Sequence, residues 1–309
     1  SYMGTPMAAA AAPWFTFLLT GERVRKISER VDAIDYGDIF RARFGNASKI
    51  LYELLIIVFA IPTIISQFAA AGSSVQSLTG IPYNVAIPMI AVVLTIYTMS
   101  GGMNSVALTD YIQGIIMIFG ICAVIAAVLN SQGGFLAALE GLAQVNDPQV
   151  SSVPGVFASF FGPDPLNLLG VVLLTSLGTW GLPQMVQKFY AIKDEKAIDT
   201  GTVISTVFAA IVAGGCYFLG GFGRLFSDQG DVAANGYDSI IPTMLSGLSD
   251  VLIAVVVILV LSASMSTLSS LVLASSSTLT LDVLKGRVIR ENDEKSQVLV
   301  MRGLIVLFI

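Results

Sequence analysis

Histidine is absent from all 309 residues, and only 12% of them are charged. The first absence removes the usual imidazole proton relay and the commonest metal ligand. The second leaves too little polarity for a solvated globular surface, since 55% of the chain is hydrophobic and its mean hydropathy is +0.81. Cysteine is scarce as well. Cys122 and Cys216 fall in apolar stretches with small neighbours, where free thiols are expected to behave as small core residues. Neither a disulfide framework nor a cysteine metal centre follows. The apolar stretches hold no paired carboxylates and no metal-ligand spacing, so a membrane enzyme lacks its catalytic constellation. A net charge of −5 says little about partners, because the charges lie between the apolar runs. Nothing indicates a nucleic-acid partner.

What is present is a series of apolar runs of bilayer-crossing length. Windows of about twenty residues predict spans near 50–78, 83–101, 106–129, 166–188, 201–223 and 251–280, with another beginning near 297. The chain therefore reads as an all-α, polytopic membrane helix bundle. Seven of its sixteen Lys and Arg lie between Arg23 and Lys49, three between Lys188 and Lys196, and five between Lys285 and Arg302. Threading the spans back and forth places those three clusters on one side, which the positive-inside rule makes cytoplasmic. Loops 21–49, 188–200 and 285–296 are thus expected inside, and Arg224 alone outside. Segment 130–165, with Glu140, Asp147 and Asp164 and no basic residue, is expected outside. Within it, 133–144 has the spacing of a short amphipathic helix. Segment 27–45 alternates charged and apolar residues as an interfacial anchor would.

One span is unlike the others. Its first half, 251–261, is wholly apolar, whereas the nineteen positions from Ser262 to Thr280 carry eleven Ser or Thr. An unpartnered buried hydroxyl costs roughly 1–3 kcal/mol, so that half is expected to face other helices, a wet cavity or an ion needing oxygen ligands rather than lipid. Transport is the activity this asymmetry suggests.

Three interruptions and one carboxylate add to the pattern. In 166–188, Gly178, Gly181 and Pro183 fall mid-span, and proline removes a backbone donor and clashes with the preceding turn. A broken helix lining a cavity or a simple kink would each account for them. Pro62 reads as a kink, and Gly101 with Gly102 as a tight turn. Asp110 is expected well inside its span, about a turn and a half beyond an N-cap at Asn104 or Ser105, with Glu53 and Asp282 at the ends of theirs. An intramembrane carboxylate points to cation binding or release, although capping or an interfacial Lys would also satisfy it.

These residues resemble a known family. GGMNSVALTDYIQG (101–114), WGLPQMVQKFYAIKDEKAI (180–198) and ASMSTLSSLVLASSSTLTLDVL (263–284) are similar, in order, to motifs of the sodium:solute symporter family. The resemblance implies a five-plus-five inverted repeat with broken helices of the leucine-transporter type, enclosing a site near the bilayer centre. It implies a sodium-coupled secondary symporter for a small organic solute, in the plasma (inner) membrane, with Na+ as coupling ion and no cofactor. The main sodium site falls on the Ala263 carbonyl and the Ser266 and Thr267 side chains, and sodium, a hard cation, suits such oxygens. A second sodium, held in some members, falls on Asp110, Ser266, Ser269 and Ser270. Solute contacts fall on Ser176, Thr179, Trp180 and Gln184, with Gln67 facing them. Sugar-transporting members place an aromatic gate where Thr179 stands. An amino acid, pantothenate-like or other carboxylate solute is therefore expected, held by a helix N-terminus at the break. A transporter-derived membrane sensor would share these motifs.

The start of the chain departs from the pattern. SYMGTPM resembles the end of the family's first core helix, and only fourteen residues separate Pro6 from Gly21, where the family has a further span. The expectation is one transmembrane domain, 1–309, incomplete at both ends, with 1–129 the remains of a first repeat and 165–309 an incomplete second.

Overall fold

The computed structural model describes residues 21–31, 33, 36–148, 150–178, 182, 195–226, 240–245, 247–285, 288–290 and 292–309. Ten α-helices run through them in the order α1 (Glu22–Val31), α2 (Tyr36–Phe44), α3 (Asn46–Thr79), α4 (Tyr83–Ser131), α5 (Phe135–Gln144), α6 (Pro165–Leu177), α7 (Glu195–Gly221), α8 (Ile240–Leu245), α9 (Asp250–Thr278) and α10 (Glu294–Phe308). No strand occurs among the described residues. Helices α3, α4, α7 and α9 are long and apolar enough to cross a membrane. The expected interfacial segment forms α1 and α2, and the expected external helix is α5.

Why these segments form membrane helices is visible on α3. Ala60, Ile64, Phe68, Ala71 and Val75 are buried along one stripe, while Leu51, Leu54, Leu55, Val58, Phe59 and Ile65 stand exposed. A helix apolar on both its inner stripe and its outer face is suited to lipid outside and protein inside. The cysteines obey the same logic and correct their expected placement. Cys122 and Cys216 are exposed rather than in the core, because hydrocarbon accepts a thiol as readily as a protein interior does.

Two of the expected spans join into α4, whose 49 residues would extend about 70 Å if straight, more than twice the hydrocarbon thickness. The bend is at Gly102, the single residue in α4 with non-helical angles (φ 53°, ψ −135°). Only glycine adopts such angles without strain. The preceding Gly101 is needed for space, since a Cβ there would lie 2.5 Å from that of Ser105. No N-cap at Asn104 or Ser105 is used: helical residues continue directly from the glycine, and Ser105 instead offers its carbonyl to the Thr109 hydroxyl at 2.8 Å.

The chain divides into two compact units, Ser1–Leu18 with Ile115–Trp180 and Asp199–Leu259, and Leu19–Gly114 with Gly181–Ile198 and Val260–Ile309. In the first, Ala138 and Leu142 of α5 pack with Phe157 and Phe222. Arg224 sits 4.3 Å above the Phe157 ring and 2.7 Å from the Asp147 carboxylate. Asp164 caps α6 by accepting from the Asn167 amide at 3.0 Å, with Pro165 following at the first helical position.

In the second unit, charges gather at the start of α3. Lys49 Nζ lies 2.7 Å from Asp38 of α2, 2.7 Å from Asp282 and 3.6 Å from Glu53. Asp282 is carried by a single wide, π-helical turn, Leu279–Leu284, that prolongs α9. Glu53 is only 2% exposed, which corrects its placement at a span end: α3 starts at Asn46 and carries Glu53 two turns in. Asp110 is thus not alone among carboxylates enclosed by the helices.

Replacing Gly102 by Ala should cost about 1–3 kcal/mol of stability through backbone strain alone, since nothing lies within 4 Å of the added Cβ; a lowered thermal midpoint in detergent would register it. Lys49→Met should cost more, about 3–5 kcal/mol, by removing the cation that the carboxylates share, with Lys49→Arg recovering most of the loss.

Candidate functional site

The inner half of α9 is the polar interior that its composition requires. Every residue from Leu268 to Thr278 is buried, whereas between Val251 and Leu261 only Val256 is. Several of the hydroxyls are satisfied along their own helix: Ser276 donates to the Val272 carbonyl at 2.7 Å, Ser277 to Ala274 at 2.9 Å and Thr280 to Ser276 at 2.7 Å. Such back-bonding makes a hydroxyl tolerable in an apolar bundle. It accounts for those three without any ligand, whereas Ser275 Oγ is enclosed with no hydrogen-bond partner.

The upper turns differ. Ser266 Oγ donates to the Asp110 carboxylate at 2.8 Å, across 156 positions of sequence. One turn along, Ser269, fully buried, donates to the Ser266 carbonyl at 3.1 Å, and Ser270 is buried beside it. The four residues expected for a second cation thus stand on consecutive turns of α9 and the facing arm of α4. On the neighbouring face of α9 the Thr267 hydroxyl donates to the Ala263 carbonyl at 3.1 Å. This is the same bond to the preceding turn that the lower hydroxyls make. The Ser266 side chain turns to Asp110 instead, and so links the two expected positions.

A residue that the sequence did not single out completes the picture. Tyr97, on the arm of α4 before Gly102, donates its hydroxyl to the Met265 carbonyl at 3.1 Å. Tyr97 and Asp110 would stand about 20 Å apart on a straight helix. Their meeting with adjacent residues of α9 shows that the two arms fold together at Gly102. Nearby in sequence, Thr98 Oγ1 and Gln113 Oε1 are enclosed with no hydrogen-bond partner, which is unusual for buried polar atoms. A carboxylate and several hydroxyls gathered on facing helices fit a hard monovalent cation.

A cavity of about 420 Å³ opens between α3, from Tyr52 to Thr63, and α9, at Leu271, Ala274 and Ser275. Leu271 and Ala274 share the helix face of Ala263 and Thr267, so the cavity begins one turn below that pair. Its lining is chiefly apolar.

The expected solute contacts are only partly within view. Ser176 is buried near the end of α6, in the first unit, and Gln67 is half-buried on α3, in the second. Thr179, Trp180 and Gln184, with the expected break at Gly181 and Pro183, lie outside the described residues. Gly178 still has helical angles. Among the described residues no group of His, Cys, Asp and Glu has the arrangement of a metal centre.

The model of the sodium:solute symporter family matches residues 2–309. The chain is 28% identical over 272 residues to the sodium/pantothenate symporter of Haemophilus influenzae, covering 85% of this chain and 53% of that protein. It is 28% identical over 291 residues to the osmoregulated proline transporter OpuE of Bacillus subtilis, covering 93% and 58%. Against the sodium/proline symporter of Staphylococcus aureus the identity is 26% over 313 residues, covering 98% and 59%. The chain therefore spans little more than half the length of these relatives. A solved sodium-coupled sialic acid symporter, in a substrate-bound outward-open state, superposes with a TM-score of 0.73 over 99% of this chain and 69% of its own, at 16% identity. The chain has that protein's fold.

If the Ser266–Asp110 pair holds a cation, sodium should raise the thermal midpoint of the purified full-length protein, and Asp110→Asn should weaken that response about tenfold in sodium concentration, as loss of a charged ligand implies. Thr267→Ala should weaken it separately. Unchanged sodium responses in both variants would remove the site.

Proposed function

The chain belongs to the sodium:solute symporter family, and on that premise we propose that it is the greater part of the transport core of a sodium-coupled importer of small carboxylate solutes. The observation that carries the reading is the half-buried hydrogen bond between Ser266 and Asp110 inside a chain that matches the family throughout. In this reading Asp110, Ser266, Ser269 and Ser270 hold one sodium, and the Ala263 carbonyl with Ser266 and Thr267 holds another. Residues 1–129 belong to one repeat and 165–309 to the other.

The topology is part of the proposal. The start of α3 and the end of α9 come together where Lys49 meets Asp282 at 2.7 Å, which supports placing loops 21–49 and 285–296 on one side. Arg224 beside Asp147 supports placing 130–165 and the loop after α7 on one side. With the basic clusters inside, α9 delivers its hydroxyl-bearing half to the cytoplasmic leaflet.

Pantothenate and proline, the solutes named for the relatives, both carry a carboxylate, which supports that solute class. Ser176, Thr179, Trp180, Gln184 and Gln67 are the contacts assigned to the solute. No basic side chain is among them, so a carboxylate would be met by backbone amides at the helix break. Each sodium entering with the membrane potential contributes about 2.3 kcal/mol per 100 mV, and a tenfold sodium gradient adds about 1.4 kcal/mol. Two ions would square the solute gradient that one sustains.

The test is uptake of labelled proline, pantothenate, sialic acid and glucose by the full-length protein in proteoliposomes under an imposed sodium gradient. A carboxylate solute should accumulate at least tenfold over its sodium-free control, and glucose should not. Accumulation of none of the four, or of glucose alone, would overturn the reading.

A further inference from the structure

Helix α4 carries a polar side chain that the ion sites assigned above leave without a task. Beyond the bend at Gly102 its enclosed residues are Val106, Gln113 and Met117, with exposures of 2%, 8% and 7%, and the half-buried Asp110 falls in the same row. Leu108, Tyr111 and Ile112, off that row, are each more than half exposed. Steps of three and four residues put 106, 110, 113 and 117 on one face of a helix, and the 2.8 Å bond from Ser266 to Asp110 fixes where that face turns. It turns to α9. Gln113 therefore stands one turn along from Asp110, on the side of α4 that meets the hydroxyl-bearing helix.

Its neighbours in the row show why it is out of place. Val106 and Met117 fill the interior with apolar volume, which is all that packing requires. A glutamine of similar length brings a carbonyl and an amide, each of which needs a partner. Among the described residues Gln113 Oε1 has none, although it is enclosed. Buried polar atoms are nearly always paired, so packing does not account for a carboxamide where a methionine serves one turn later.

A carboxamide oxygen is a hard, neutral ligand of the kind that hard cations take beside carboxylates. Next to Asp110, Ser266 and Ser269 it adds an oxygen and no charge. The set then holds one negative charge, which one monovalent cation balances. A second carboxylate in its place would give two, which suits a divalent ion. Resting on the two-sodium reading above, we propose that Gln113 is a further ligand of the second cation, giving its Oε1 to the ion held by Asp110 and, by being neutral, keeping that site monovalent.

The experiment uses the full-length protein in proteoliposomes, with sodium-activation curves for solute uptake, radiolabelled sodium bound per protein, and inhibition of uptake by calcium. Gln113→Met keeps the length of the side chain and removes its oxygen. Half-saturating sodium should rise about three- to tenfold, as the loss of one neutral polar contact implies, while solute affinity at saturating sodium stays as it was. Gln113→Glu returns an oxygen together with a charge. Half-saturating sodium should fall back to the wild-type value or below, and calcium at about 1 mM should now inhibit uptake that it leaves unaffected in the wild type. In an Asp110→Asn background Gln113→Met should add nothing. A glutamine that only packs would lower the thermal midpoint in both variants with sodium activation and the calcium response unmoved, and that result would overturn the proposal. So would a Gln113→Glu that needs more sodium than Gln113→Met, since the amide would then be serving Asp110 as a donor. Should Asp110→Asn still bind two sodium ions, the second site falls and Gln113 falls with it. An altered Asp110→Asn beside an unaltered Gln113→Met removes Gln113 alone.

Discussion

The structure turns on what happens to hydroxyl groups withdrawn from water. Eleven of them lie between Ser262 and Thr280, and each left unpaired would cost roughly 1–3 kcal/mol. Towards the lower end Ser276, Ser277 and Thr280 bond back to their own helix. At Ser266 that solution is replaced by a bond to a carboxylate on another helix. That bond joins a carboxylate of α4 to a hydroxyl of α9 inside an apolar bundle. The cation proposed here rests on that pairing of oxygens from two helices.

The remainder of the second unit supports that one turn of α9. Helix α4 bends at a glycine whose angles no other residue takes without strain, which brings Tyr97 and Asp110 to neighbouring residues of α9. At the inner end, Lys49 gathers Asp38, Glu53 and Asp282 and ties the ends of α2, α3 and α9 together. Between these two polar contacts lies an apolar cavity bounded by α3 and α9. The same helix thus carries a charged cluster at one end, a cavity in its middle and the turn that meets Asp110 above.

The sequence revealed these features unevenly. The hydroxyl ladder was legible, because a run of Ser and Thr in a membrane-length helix admits few environments. Asp110 was legible as an intramembrane carboxylate, and its partner Ser266 through family resemblance. Tyr97 was not, because its contact with α9 exists only once the chain folds back at Gly102, and thirteen residues of separation give no such signal. The Lys49–Asp282 contact, 233 positions apart, was equally hidden. The cysteines were misplaced for a different reason. Inside a membrane, apolar neighbours surround both the core and the lipid-facing surface, so hydrophobicity no longer separates inside from outside. The turn expected at Gly101 and Gly102 was half right: the direction changes there, but the helix needs neither loop nor cap to do it.

The central claim is that sodium rests against the turn of α9 that faces Asp110. Equilibrium binding of radiolabelled sodium to the purified full-length protein tests it directly. Two ions should bind saturably per protein in the wild type and one in Asp110→Asn, with the remaining ion abolished by Thr267→Ala. Equal binding in wild type and Asp110→Asn, or no saturable sodium binding at all, would contradict the account.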